Sequence, residues 1–336
     1  MSGDNQTTSQ DSGPAPKVSV IIPVYNRAAF VVEALESIFR QTFRDFEVIL
    51  VNDGSADTPQ LETALIPYLS RLHYIKQENR GASAARNTAI RKAQGELLAF
   101  LDSDDSWLPG YLDAQVKFLD QNPQVVASVA DAVRFGELAG QSSVRKMLKA
   151  DAANTLTFEQ MLRREGDQLP SAMVARRLRS IQAGLYDESL FAAGDIEFVY
   201  RLLFPDGLMG YLHQALVKYR RHAASISGNF DDLTIIRNEA KILRLVGKKL
   251  PLTALHRAML NKEVAALDAE GAMIEAHQHL SNQEFRQASA CFRQANAYYQ
   301  NPKIKLTLAA LKVFPRLSAR ALTWHWSRRR IRARPG

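Results

Sequence analysis

Three carboxylates fall within four residues in Asp102-Ser-Asp-Asp105, directly after the apolar run Leu97-Leu-Ala-Phe-Leu101. At neutral pH they repel one another, and such crowding costs stability unless a cation neutralises it. Carboxylate oxygens are hard ligands that suit Mg2+ or Mn2+, ions that keep several waters and share their coordination sphere with substrate phosphates. A solvated turn capping a helix near Pro109 would need one such residue rather than three. Asp53, in Asn52-Asp-Gly-Ser55, could be a turn former, since Asp-Gly is a turn dipeptide. It also ends a second apolar run, Phe46-Glu-Val-Ile-Leu-Val51, which favours ligand contact. Tyr25-Asn26 ends a third, Val18-Ser-Val-Ile-Ile-Pro-Val.

The elements that must position these groups follow from the pattern between the runs. Val31, Ala34, Leu35, Ile38 and Phe39 share one helical face. Further helices are expected over 59–71 and 82–93, and a strand over 72–76. Strands alternating with amphipathic helices predict an α/β fold with a doubly wound, mostly parallel sheet. In such a sheet ligands bind beyond the carboxyl ends of the strands, where the polar residues fall. No G-x-G-x-x-G follows the first run and no Walker A sequence occurs, which argues against a dinucleotide or P-loop site. The stretch 136–178 mixes polar loop with short helical pieces. From 231 onward β signals vanish, and helical periodicity runs over 235–250, 252–280 and 283–299 into a basic tail.

Four ordered segments carry a family resemblance: Val18-Ser-Val-Ile-Ile-Pro-Val-Tyr-Asn26, Val51-Asn-Asp-Gly-Ser55, Asn79-Arg-Gly-Ala-Ser-Ala-Ala-Arg-Asn87 and Phe100-Leu-Asp-Ser-Asp-Asp105. The likeness continues through Gly184-Leu-Tyr-Asp-Glu188, Gly194-Asp-Ile-Glu-Phe-Val-Tyr-Arg-Leu202 and Tyr219-Arg-Arg-His-Ala-Ala-Ser-Ile-Ser227. In these segments the chain resembles family 2 glycosyltransferases. The resemblance implies a GT-A fold over 17–230, with a nucleotide-binding half at 17–105 and an acceptor-binding half at 106–230, followed by a helical extension over 231–336.

It further implies an inverting enzyme that moves one sugar from a nucleoside-diphosphate sugar, a UDP-sugar first, to a hydroxyl acceptor in envelope polysaccharide, lipopolysaccharide or glycolipid synthesis. Pro23, Tyr25 and Asn26 would line the nucleotide pocket, Asp53 would bind the base, and Arg86 would lie near the diphosphate. Asp104 would contact the ribose or donor sugar, and Asp105, with Asp104 and His222, would hold Mg2+ or Mn2+ on the diphosphate. Asp195 would be the general base, although Gly194 stands where the family usually has an acid. The Gln-x-x-Arg-Trp motif of processive members is absent, so single-sugar transfer is expected.

Composition narrows the setting. The chain has 336 residues and a formal net charge of +8, but residues 303–336 hold ten Lys or Arg and no acid. The other 33 basic and 35 acidic residues leave the first 302 positions at −2. The excess charge is thus a tail property, suited to an anionic membrane surface more than to nucleic acid. Cys291 is the only cysteine, which excludes an internal disulfide and fits a reducing compartment. Residues 1–16 lack an apolar core and read as a disordered leader. The expected location is the cytoplasm, peripheral on the inner face of the plasma membrane. Two other classes stay open: a catalytically inactive nucleotide-sugar binder or scaffold, which Gly194 would favour, and a phosphohydrolase using Asp102 and Asp104.

Overall fold

The computed structural model describes residues 15–137, 144–145, 147, 154–190, 193–222 and 231–317. The expected leader, but for its last two residues, lies outside them. So do Ser225, Ser227 and the arginine-rich end with Trp324 and Trp326.

The strands β1 (Val18–Val24), β2 (Phe46–Asp53), β3 (His73–Gln77) and β4 (Leu97–Phe100) pair in parallel in the order β3-β2-β1-β4. β1 and β4 are buried at almost every position, as continuous apolar strands covered on both faces must be. The crossovers are α1 (Ala28–Phe39), α2 (Thr58–Leu65) and α3 (Ala82–Lys92). α1 buries Val31, Ala34, Leu35 and Ile38, the expected face, while Phe39 packs at its edge. A short 3-10 turn over Ile66–Arg71 completes what the sequence presents as one helix. Because crossovers are right-handed, the reversal between β3 and β4 puts α3 on the sheet face opposite α1 and α2. The loops after β1 and β4 therefore part in opposite directions and leave a crevice at their carboxyl ends.

The chain then builds β5 (Ser106–Trp107), α4 (Tyr111–Gln121), β6 (Val125–Phe135), β7 (Val144–Arg145), β8 (Thr155–Leu156), α5 (Phe158–Leu162), β9 (Met173–Arg176), α6 (Arg177–Gln182), α7 (Gly194–Leu203) and β10 (Leu208–Arg220). β9 lies antiparallel between β4 and β6, joining the two halves of one sheet, and β10 runs parallel to β6. The sequence reads as loop around β9 because four residues carry too little periodicity; the flanking strands impose its conformation. Trp107 is core, not a wall of the acceptor site: it stacks on Tyr111 with centroids 4.4 Å apart and donates to the Ser171 carbonyl at 2.7 Å.

Four helices follow: α8 (Asp232–Lys249), α9 (Ala254–Ser281), α10 (Phe285–Tyr299) and α11 (Pro302–Val313). Side-chain caps from Asp231, Thr253 and Asn301 start α8, α9 and α11. Ile236, Leu243, Val246, Leu260 and Leu267 extend the main core, whereas Ala276, Leu280, Phe292, Ile304 and Leu311 form a second, smaller one. No helix of the described residues is long and apolar enough to cross a membrane.

Lys249 ties α8 to the sheet domain. Its ammonium donates to the fully buried Glu197 carboxylate at 2.9 Å and to Asp187, and Arg201 grips Glu197 with two bonds of 2.8 and 2.6 Å. Burial pushes the Asp187 carboxyl up, but hydrogen bonds from Lys249 and Ser189 overcome it and hold it at about 2. A depressed carboxyl contributes stability in full above its unfolded value and loses it as pH falls. Denaturant unfolding of Lys249→Met should show a loss of about 2 kcal/mol at neutral pH, because Glu197 stays buried with one partner fewer. The difference between variant and parent should shrink as pH falls from about 4 toward 2.

Candidate active site

Two loops face each other across the β1/β4 crevice. After β1, Asn26 adopts a left-handed conformation (φ 53°), which asparagine tolerates. Its side chain accepts from the Ala56 N–H at 2.7 Å, and its own N–H donates to Ser55 Oγ at 3.1 Å. Asn26 thus joins the β1 and β2 loops. Asn52 is likewise structural, bonding Ser55, Thr58 and Tyr74. Pro23 sits within β1, opposite Val51, and Tyr25 stands at its end with 49% of its surface exposed.

Asp53 is buried at the end of β2 and organises the loop into α3. It accepts from Gln77 Nε2 at 2.7 Å and the Arg80 N–H at 3.0 Å on one oxygen, and from the Gly81 N–H at 2.8 Å on the other. An ionised carboxylate offers about four acceptor sites, so one remains. Gly54 beside it has φ 68°, and a Cβ there would lie 2.6 Å from the Asn79 backbone nitrogen, so glycine is required.

Across the crevice the three carboxylates are held in different ways. Asp102 pairs with Arg86. Asp104 lies 3.3 Å from Arg27 Nε and 3.0 Å from His222 Nε2, through the same oxygen. Asp105 is 2% exposed and accepts from the Ser171 hydroxyl and, at 2.8 Å, from the Arg220 N–H. Burial, then the neighbouring Asp104 and Asp102 charges, push the Asp105 carboxyl well above the usual range. Burial also raises Asp102, with Arg86 opposing it. A divalent cation would offset this repulsion, so the donor set fits one. Among the described residues no three acidic, histidine or cysteine side chains close a metal cage. Such open geometry matches an ion that completes its sphere with phosphate oxygens and water.

Asp195 lies in the first turn of α7, where the helix N-terminus favours a carboxylate. No hydrogen bond or ion pair engages it among the described residues, yet it acts on the ionisation of Arg86, Asp102, Tyr186 and Arg145. Its position follows from α3. Asn87 makes three bonds to the 186–188 segment, at 2.9 Å each to the Tyr186 backbone carbonyl, the Tyr186 N–H and Glu188, and Arg80 pairs with the same glutamate. Gly194 packs against the first turn of α3, where a Cβ would lie 2.7 Å from Ser83 Oγ.

The structure thus gathers Asp53, Asp104, Asp105 and His222 around one crevice with Tyr25 on its rim. It leaves Asn26 exposed and bonded to the Ala56 backbone, and it buries Arg86 against Asp102. Sequence reading missed Arg27, which the neighbouring Tyr25-Asn26 could have flagged. It also missed Ser171, which lies in the stretch without periodic signal and links Asp102, Asp105 and Trp107. Arg220 ties the carboxylate loop to α1: its Nε donates to the Asp104 carbonyl at 2.8 Å and its guanidinium meets Glu33. Asp105→Asn removes the buried charge and keeps the shape. Without metal its thermal midpoint should match the parent or rise by about 2 °C, and Mn2+ should no longer shift it.

Comparison with known proteins bears on the fold. An uncharacterized glycosyltransferase of Rickettsia felis is 43% identical over 106 residues, 32% of this chain and 18% of that protein. The chain therefore spans under a fifth of that relative. S. aureus TarS, solved with UDP-GlcNAc, superposes with a TM-score of 0.61 at 18% identity, over 93% of this chain and 92% of that one. The mannosyltransferase PcManGT of Pyrobaculum calidifontis, solved with GDP-Man and Mn2+, gives 0.61 at 18% identity over 92% and 84%. At that identity the likeness establishes the fold, a GT-A-type sheet with a helical C-terminal region. Residues 19–178, from β1 into α6, match the model for glycosyl transferase family 2, so over this stretch the chain is similar to that family.

Proposed function

We propose that this protein is an inverting transferase that moves a single sugar from a nucleoside-diphosphate sugar, UDP-linked in the first instance, to a hydroxyl acceptor of an envelope glycan or glycolipid. The observation that carries the reading is the pairing, around one crevice, of a crowded carboxylate loop with an unengaged carboxylate at a helix N-terminus. The base would lie against Tyr25. The acceptor site left on Asp53 suits an imide N–H such as that of uracil. A bound Mg2+ or Mn2+ on Asp105 and Asp104 would offset charge on the departing diphosphate. TarS and PcManGT, solved with nucleotide sugars and in one case Mn2+, support that assignment by analogy of fold.

In the chemical step Asp195 takes the proton of the acceptor hydroxyl as its oxygen forms a bond to the anomeric carbon. The bond from that carbon to the diphosphate oxygen breaks on the opposite face, its electron pair leaves with the nucleoside diphosphate, and the centre inverts. Arg27 and His222 orient Asp104, while Ser171 and the Arg220 N–H fix Asp105, so the crevice is set before substrate arrives. A phosphohydrolase reading would need Asp102 as nucleophile, but that carboxylate is committed to Arg86. The basic tail, whose arginine-rich end lies outside the described residues, would hold the enzyme at an anionic membrane surface on the cytoplasmic side.

Asp195→Asn should lower turnover about a thousandfold, measured as UDP release from UDP-GlcNAc or a related donor, while UDP affinity by calorimetry stays within about twofold. Full activity in that variant would remove Asp195 from the role of base. Absence of any nucleotide binding in the parent would leave the inactive-scaffold reading standing.

A further inference from the structure

Two apolar rows run along α11. Ile304, Leu308 and Leu311 repeat at four and three residues and close the small second core against α9 and α10. Leu306, Ala310 and Val313 repeat with the same spacing, each two residues further on. A step of two residues turns an α-helix by about 200°, so the second row stands opposite the first. Leu306 and Val313 are 70% and 64% exposed, and Phe314 and Leu317, which follow, are exposed too. A helix at the edge of a fold turns one apolar stripe to the core and polar residues to water. On α11 the side turned to water is apolar as well, and packing within the chain does not account for it.

The charges beside this row point to its partner. Lys305 and Lys312, seven residues apart and exposed, line up between the two apolar rows. Lys303 stands in the first turn, where a cation opposes the helix dipole and does nothing for the helix itself. From Phe285 to Gly336 the chain holds twelve Lys or Arg and no acid, and Arg286 and Arg293 lie exposed on α10. Tyr298 and Tyr299 are exposed at the end of α10, and tyrosine suits a boundary that is apolar on one side and wet on the other. An apolar row flanked by cations matches a bilayer surface, where acyl chains lie beneath anionic headgroups. The twelve residues of α11 are too few to cross one. A second copy of the chain suits the row less well, because a two-fold contact would bring the same lysines together.

We propose that α11 is an interfacial anchor. Leu306, Ala310, Val313 and the following Phe314 and Leu317 enter the acyl boundary of an anionic bilayer, while Lys305 and Lys312 meet lipid phosphates. The inference rests on the reading of the basic tail as a membrane contact, and it names the element that enters the lipid.

Co-sedimentation of the full chain with vesicles of phosphatidylcholine and phosphatidylglycerol in equal parts, against phosphatidylcholine alone, tests it. The parent should prefer the anionic vesicles and keep part of its binding at raised salt, because apolar burial is not screened. Leu306→Gln with Val313→Gln should keep the parent's thermal midpoint, weaken binding about tenfold and lose the part that resists salt. Arg328→Gln with Arg329→Gln and Arg330→Gln should weaken binding about tenfold at low salt only. Parental binding by the Leu306 and Val313 variant, with the arginine variant impaired, would leave the contact to the tail and overturn the proposal. A parent that binds neither kind of vesicle would refute the membrane reading itself, and the proposal with it. A dimer in sedimentation equilibrium that disperses in the Leu306 and Val313 variant would make the row a contact between copies and overturn the proposal as well.

Discussion

Three carboxylates on four consecutive residues, one buried and two partly so, set the terms for everything around the β1/β4 crevice. Coulomb repulsion at this range in a poorly solvated site is worth several kcal/mol if nothing opposes it. The fold opposes it with a different partner for each acid: a buried guanidinium for Asp102, a shared oxygen between Arg27 and His222 for Asp104, and a hydroxyl and a main-chain N–H for Asp105. These partners come from α3, the β1 loop, β10 and the turn before β9. The loop therefore acts as a tie between segments far apart in sequence. The residual repulsion falls on Asp105, the group with no cation of its own, which is where a divalent ion would relieve it.

The same economy governs the carboxylate at the start of α7. Asp195 belongs to α7, but its place is dictated by α3 through Asn87 and Ser83, and by α8 through Lys249 and Glu197. A carboxylate with no bond of its own is kept in position by bonds to its neighbours, so its lone pairs stay available. Rigidity is supplied one shell away from the proton it would accept.

How much of this was legible depended on whether the information was local. β1, β2, β4 and α1 announce themselves through apolar runs and 3.6-residue spacing, and the carboxylate loop declares its chemistry by composition. The topology follows because crossovers have one hand. What could not be read is non-local. β9 is a strand because β4 and β6 flank it, and Ser171 is a hub because its turn meets the Asp102 loop. Asp53 looks like a ligand contact and also proves to be the organiser of a loop, a double role no spacing reveals. Arg220 and Arg221 are neighbours of one type in the sequence, yet only Arg220 ties the Asp104 carbonyl to Glu33, which no spacing announces.

The division of the apolar cores has a consequence for how such a chain can be rearranged in evolution. α8 and the first half of α9 share their core with the sheet, and Lys249 anchors the α7 region, so these helices must be inherited together with the sheet domain. The hairpin of late α9, α10 and α11 closes on its own small core and touches none of the crevice groups discussed above. It is the portion that recombination could exchange without disturbing the crevice, and the part where members of a lineage are free to diversify what the enzyme is attached to.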